Sequence, residues 1–179
     1  GSIKPEFTAA EYFWGLGLGI LAAGVAVLLL LGCGMPKKEG ACAQLRSEVA
    51  QMEQSLLAGG EVVDAELRAQ MMQTYARFAN TCHDHEFTPE ALFRRADLLR
   101  SAGKFQEAMT QLRDIHDHYA NYDKRSVCAF LVGFIAEVEL NDREQAKKTY
   151  QQVIEVHPDS EAAKWARQSL QNLEATARD

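Results

Sequence analysis

Residues 88–115 read TPEALFRRADLLRSAGKFQEAMTQLRDI, and their spacing decides the fold. Thr88-Pro89-Glu90 is a helix start, with a cap-forming side chain followed by Pro in the first turn. Leu92, Ala96 and Leu99 then recur at helical spacing, and Gly103 stops the helix. Phe105, Ala108, Leu112 and Ile115 mark a second helix after a very short turn. Two short helices joined this tightly must pack antiparallel, so the stretch is a helix pair.

The same pattern extends along the chain. Ala108, Leu112 and Ile115 have the spacing Ala-x₃-large-x₂-apolar, and Ala146, Tyr150 and Val153 repeat it 38 residues later. Met71, Tyr75 and Phe78 repeat the apolar spacing 37 residues earlier. Repetition at such a period marks stacked helical units that share one core. Further helices are expected around Leu45, Val49, Met52 and Leu56, ended by Gly59-Gly60, and around Leu67 to Phe78, with Asp64 as cap. Val127 to Val138 and Ala146 to Ile154 supply the next two, the latter closed before Pro158. Asp159 or Ser160 then caps a last helix carrying Ala162, Trp165, Ala166, Leu170 and Leu173. Its polar side, Lys164, Arg167, Gln168 and Gln171, suits the covered end of a stack, and Trp165 is expected to pack back on Tyr150 and Val153. No window alternates with the period of a strand.

These features resemble the tetratricopeptide repeat family. Ala96 and Gly133 stand at that family's small position in the first helix of a unit. Ala108 and Ala146 stand at its second small position, Leu112 and Tyr150 at its large one, and Pro158 at its closing proline. The units depart from the family in being 37 or 38 residues long rather than 34, and the resemblance is weaker over 43–87 than over 88–158. It implies an all-α solenoid of about three helix pairs with a C-terminal capping helix. It also implies a partner-binding groove lined by the first helix of each unit: Glu90, Phe93, Asp97 and Arg100 in one, Val127, Phe130, Phe134 and Glu137 in the next.

At the other end of the chain, Tyr12 to Pro36 contains no charged residue. A bilayer core of about 30 Å takes roughly 20 apolar residues as a helix, and Phe13 to Leu31 nearly supplies them. Tyr12, Phe13 and Trp14 sit at one edge, where amphipathic rings favour the headgroups. Gly15, Gly19 and Ala23 fall on one face and would let a partner helix approach closely in lipid. Leu30-Leu31-Gly32-Cys33 also resembles the box that precedes the lipid-bearing cysteine of a bacterial lipoprotein, which makes Cys33 a lipidation candidate. Residues 1–35 are therefore either a retained transmembrane helix or a cleaved signal, 36–42 a linker, and 43–179 the repeat domain. The order of these parts resembles membrane-anchored envelope repeat proteins of bacteria, with the domain on the periplasmic side.

The 19 Lys and Arg against 25 Asp and Glu give a net charge of −6 with no basic tract, so nucleic acid is not an expected partner. No nucleophile elbow, phosphate loop or His-Glu-x-x-His motif is present. The expected class is a non-enzymatic scaffold: an adaptor subunit of a larger membrane complex, or an envelope chaperone that meets several clients. Its partners would be other protein subunits and membrane lipid, and no cofactor or metal is expected. His83, His85, His116 and His118 are the residues an imidazole metal site would draw on. Of the four cysteines, Cys42 and Cys82 are the first pair to test for a disulfide, and Cys128 sits on an apolar helix as a buried small side chain.

Overall fold

The computed structural model describes residues 37–58 and 64–175. The uncharged run, with Gly15, Gly19, Ala23 and Cys33, lies outside the described residues. Among the described residues no helix is long and apolar enough to cross a membrane.

The described chain is all helix: α1 (Lys37–Ala58), α2 (Ala65–Thr81), α3 (Thr88–Ser101), α4 (Phe105–His118), α5 (Arg125–Val138), α6 (Arg143–Val156) and α7 (Glu161–Ala175). Residues 37–42, expected as a linker, are instead the opening turns of α1. Lys37, Lys38, Glu39 and Ala41 are good helix formers, so the polar composition that suggested a linker is equally a solvated helix face. A compact unit spans Ala41–Asp179.

Within that unit each helix from α2 to α7 packs closely on the next, and α5 also reaches α7. The helix boundaries follow local chemistry. The Asp64 carboxylate accepts from the Glu66 N–H at 3.2 Å and starts α2. Asp142 accepts from the Gln145 N–H at 3.0 Å and starts α6. Of the two caps weighed for α7, Ser160 serves: its Oγ accepts from the Ala163 N–H at 3.0 Å. Gly103, at φ +75°, turns the chain from α3 into α4 in a conformation other residues adopt at a cost.

Thr88 does not cap α3. Phe87 holds that position, Thr88 opens the helix with Pro89 second in its first turn, one place later than expected, and the fully buried Thr88 hydroxyl donates to the Cys82 carbonyl. Having a buried acceptor within reach, the hydroxyl satisfies it instead of the helix end.

Two cores result. The larger holds Ala96, Leu99, Ala108, Leu112, Ile115, Val132, Ile135, Ala146, Tyr150 and Val153 under α7. The small and large positions read from the repeat thus face inward. Gly133 is buried against Tyr150: a Cβ built there would stand 2.7 Å from the ring's Cε1. The smaller core joins α1 to α2 through Val49, Met71, Tyr75 and Phe78. It is closed by a disulfide between Cys42 and Cys82, with Cα atoms 5.8 Å apart. Cys128 is a buried free thiol, and burial pushes it up to about 12, so it is inert packing.

Candidate functional site: the α3–α5–α7 face

The eight groove residues lie on α3 and α5, and the structure divides them into two unlike halves. On α3, Glu90 is consumed by internal bonds. Its carboxylate accepts from Arg94 Nε at 2.9 Å, from the Tyr122 hydroxyl at 2.6 Å and from Lys124 Nζ at 2.8 Å. Burial alone would raise its pKa, but the hydrogen bonds from Lys124, Tyr122 and Arg94 hold it down at about 2. Arg94 continues the chain to Glu53 of α1 at 2.6 Å, and Glu53 also accepts from the Tyr75 hydroxyl at 2.7 Å. Phe93 lies beside Tyr122, with ring centroids 6.4 Å apart, and under Lys124 Nζ at 5.0 Å. This half is a ladder of charges and rings tying α1, α2, α3 and the start of α5 together.

The second half is different. Phe130 stacks on Tyr150 at 5.4 Å, meets Trp165 edge-on at 5.6 Å and neighbours Phe134 at 6.3 Å. The Tyr150 hydroxyl donates to Glu137 at 2.6 Å, and burial followed by that carboxylate pushes the phenol's pKa up. Phe130 and Phe134 are partly exposed, and Trp165 is 45% exposed. Asp97 is exposed and Arg100 is shared between it at 3.7 Å and Glu139 at 3.4 Å. Val127, in the first turn of α5, is half-buried.

Trp165 is the residue of this face whose placement differs from the sequence expectation. It does not return to the core. Ala162, Ala163, Ala166 and Leu173 fill the buried stripe of α7, and Trp165 falls about 100° off Ala166. The alanine stripe was the available signal: a helix that buries three alanines approaches closely and leaves no inward room for an indole. Tyr122, Lys124 and Glu139 also went unread because each acts across units, over 32 to 39 residues.

The histidines separate. His83 and His118 line one groove, but His83 pairs with Asp84 at 2.8 Å and His118 Nδ1 donates to the Asp114 carbonyl at 2.9 Å. His85 Nδ1 accepts the Phe87 N–H at 3.0 Å. His116 turns elsewhere, to His157, with the two Nε2 atoms 2.9 Å apart. Cys82 is in the disulfide and offers no thiolate. Among the described residues no three His, Cys, Asp or Glu side chains group as metal ligands.

The architecture is an α-helical repeat stack with aromatic side chains on one face of α3, α5 and α7. The tetratricopeptide repeat family model matches residues 90–122 and 130–160. Those two matches, with the stacked helix pairs, support a tetratricopeptide repeat protein whose repeats suggest a protein–protein interaction scaffold. A search of curated proteins finds no match to the chain.

Proposed function

We propose that the chain is a non-enzymatic scaffold held at a bacterial membrane, acting as an accessory subunit of a larger complex. The single observation that carries the binding role is the Phe130, Phe134 and Trp165 surface. Exposed, clustered rings at the centre of a face are what partner anchors pack against. Glu137, Asp97 and Glu139 border it with acid, only partly offset by Arg100, so a partner with apolar anchors flanked by basic residues fits best. The uncharged run Tyr12–Pro36 would supply the anchor, as a retained helix or as a lipoprotein signal ending at Cys33. The Cys42–Cys82 disulfide supports the periplasmic side, since such bonds persist in oxidising compartments.

The test is recovery of the full chain from membranes in mild detergent. A stoichiometric partner is expected with the wild type and is lost with Trp165→Ala, which should still fold by circular dichroism. Recovery of the chain alone sinks the subunit reading, and crosslinking to many clients replaces it with the chaperone reading. Intact mass separates the anchors: a product starting at Cys33 with acyl chains is a lipoprotein, and a mass retaining the run is a transmembrane subunit.

A further inference from the structure

His116 and His157 are 41 residues apart and close the ends of α4 and α6. Their Nε2 atoms are 2.9 Å apart, with ring centroids 5.2 Å apart and planes at 88°. The centroid spacing is the 2.9 Å separation plus roughly one ring radius on each side, so the two nitrogens point head-on. Only one hydrogen fits between them. His116 Nδ1 faces the Asp117 carboxylate at 2.8 Å, which fixes the proton on that nitrogen. In the neutral pair His116 Nε2 therefore accepts from the His157 Nε2–H.

We propose that this pair is a one-proton bridge whose second protonation releases the α6–α7 corner. The first added proton leaves the bridge intact. His116 then carries hydrogens on both nitrogens, keeps Asp117, and donates to the bare Nε2 of His157. The second proton leaves two N–H groups head-on and two cations in contact, and the bridge must open. The surroundings favour opening. Arg125 of α5 donates to the His116 carbonyl at 2.7 Å, and Arg113 of α4 and Lys148 of α6 line the same groove. Among the described residues that line this groove, the acids are Asp117 and Glu155. The first-turn acid of α7, Glu161, is held by Lys164 at 2.5 Å.

His157 is placed to transmit the change. It caps the C-terminus of α6, and its carbonyl accepts both the N–H of Ser160 at 3.0 Å and its hydroxyl at 2.8 Å. Ser160 in turn caps α7, the helix that carries Trp165. Burial, His116 and Arg125 lower the pKa of His157 from its ordinary value of 6.5. The sign follows. A depressed histidine favours the closed corner above the ordinary range, and this contribution is lost as pH falls through the depressed value. Loss of partner binding in acid rests on the proposed function; the bridge does not.

The experiment uses the full chain without any partner. Imidazole Cε1–H resonances are followed from pH 8 to 4.5 while amide exchange is read in α7. The His157 step is expected below the ordinary histidine range, and the opening of the bridge at that step should also move the His116 resonance. Opening of α7 should rise about tenfold for each pH unit by which that step is depressed. In His157→Gln the rise should vanish, whereas His118→Gln should keep it. Titration of His157 in the ordinary range, with no change at the His116 resonance, overturns the proposal. So does α7 exchange, corrected for its intrinsic pH dependence, that is flat through the His157 step. The wild-type data decide the matter even if a variant folds poorly.

Discussion

Gly133→Ala should destabilise the protein, although alanine is the better helix former by about 1 kcal/mol. The reason is Tyr150. The new Cβ would lie 2.7 Å from Cε1 and 2.9 Å from Cδ1 of that ring, and 3.3 Å from the Cβ of Thr149. Ordinary carbon contact is about 3.5–4.0 Å, so the ring would have to retreat by nearly 1 Å. It has nowhere to go. Tyr150 is fully buried, its ring is stacked on Phe130, and its hydroxyl is tied to Glu137 at 2.6 Å. Overpacking of this kind costs about 1–3 kcal/mol. Because the ring is held from every side, the upper part of that range, about 2–3 kcal/mol, applies here, and set against the helix gain the net loss is about 1–2 kcal/mol.

The preceding unit shows the remedy. There Ala96 occupies the small position and Leu112 the large one, both 2% exposed. Tyr150→Leu alone should cost about 2–4 kcal/mol through lost ring burial and a stranded Glu137. In that background Gly133→Ala should turn stabilising by about 0.5–1 kcal/mol, because the Cβ enters vacated space. The interaction energy of the pair is then about 2 kcal/mol. Urea denaturation of the four proteins, followed by far-ultraviolet circular dichroism at pH 7, measures it. A neutral or stabilising Gly133→Ala in the wild type, or an equal cost in both backgrounds, refutes the reasoning.

Reduction of Cys42–Cys82, or Cys42→Ser with Cys82→Ser, frees a loop of 40 residues and should cost up to about 4 kcal/mol; α1 should become protease-sensitive before α5 and α6, and equal digestion of all three would contradict a local lock. Glu90→Gln should remove about 1–2 kcal/mol at pH 7 after allowance for solvent screening. Since the folded Glu90 carboxyl is held at about 2, its contribution is complete above the ordinary glutamate range and fades as pH falls toward 2. Thermal melts from pH 7 to 3 should therefore converge for wild type and Glu90→Gln, and parallel curves would be evidence against the ladder. Phe134→Ala should change melting by less than Tyr150→Leu but weaken partner recovery as Trp165→Ala does, which quantitative blotting of the detergent complex checks.

The repeats were legible because they rest on local rules. Ala96, Gly133, Leu112 and Tyr150 declare themselves by spacing, and Asp64, Ser160 and Gly103 by the chemistry of helix ends. The Cys42–Cys82 pairing was legible as a choice worth testing because both cysteines stand among polar residues, although only Cys82 closes a helix and Cys42 lies within α1. What escaped is what two distant segments make together. Glu90 on a helix of the groove family reads as a partner contact. Only when Arg94, Tyr122 and Lys124 converge on it does it become structural. His116 and His118 look alike in sequence, two residues apart, yet rotation by about 200° around α4 sends them to different sides of the unit.

That division of the face has a consequence for recognition. A charge already satisfied by three donors cannot also reward a ligand, because a partner group would have to displace one of them and strand it. The α3 half therefore works as a rigid wall. It fixes α1 to the stack through Glu53 and Arg94 and leaves little unmet polar capacity. The Phe130–Phe134–Trp165 half is the reverse. Phe130 is held in place from behind by Tyr150 and in turn meets Phe134 and Trp165, so the rings are pre-organised, yet Trp165 keeps nearly half its surface in water. Preordered apolar area is what binding can convert into affinity with little further entropy loss. The same Tyr150 that forces glycine at 133 thus sets the platform on which the exposed rings stand, which is why the core substitution Gly133→Ala should also weaken partner recovery, although residue 133 is buried.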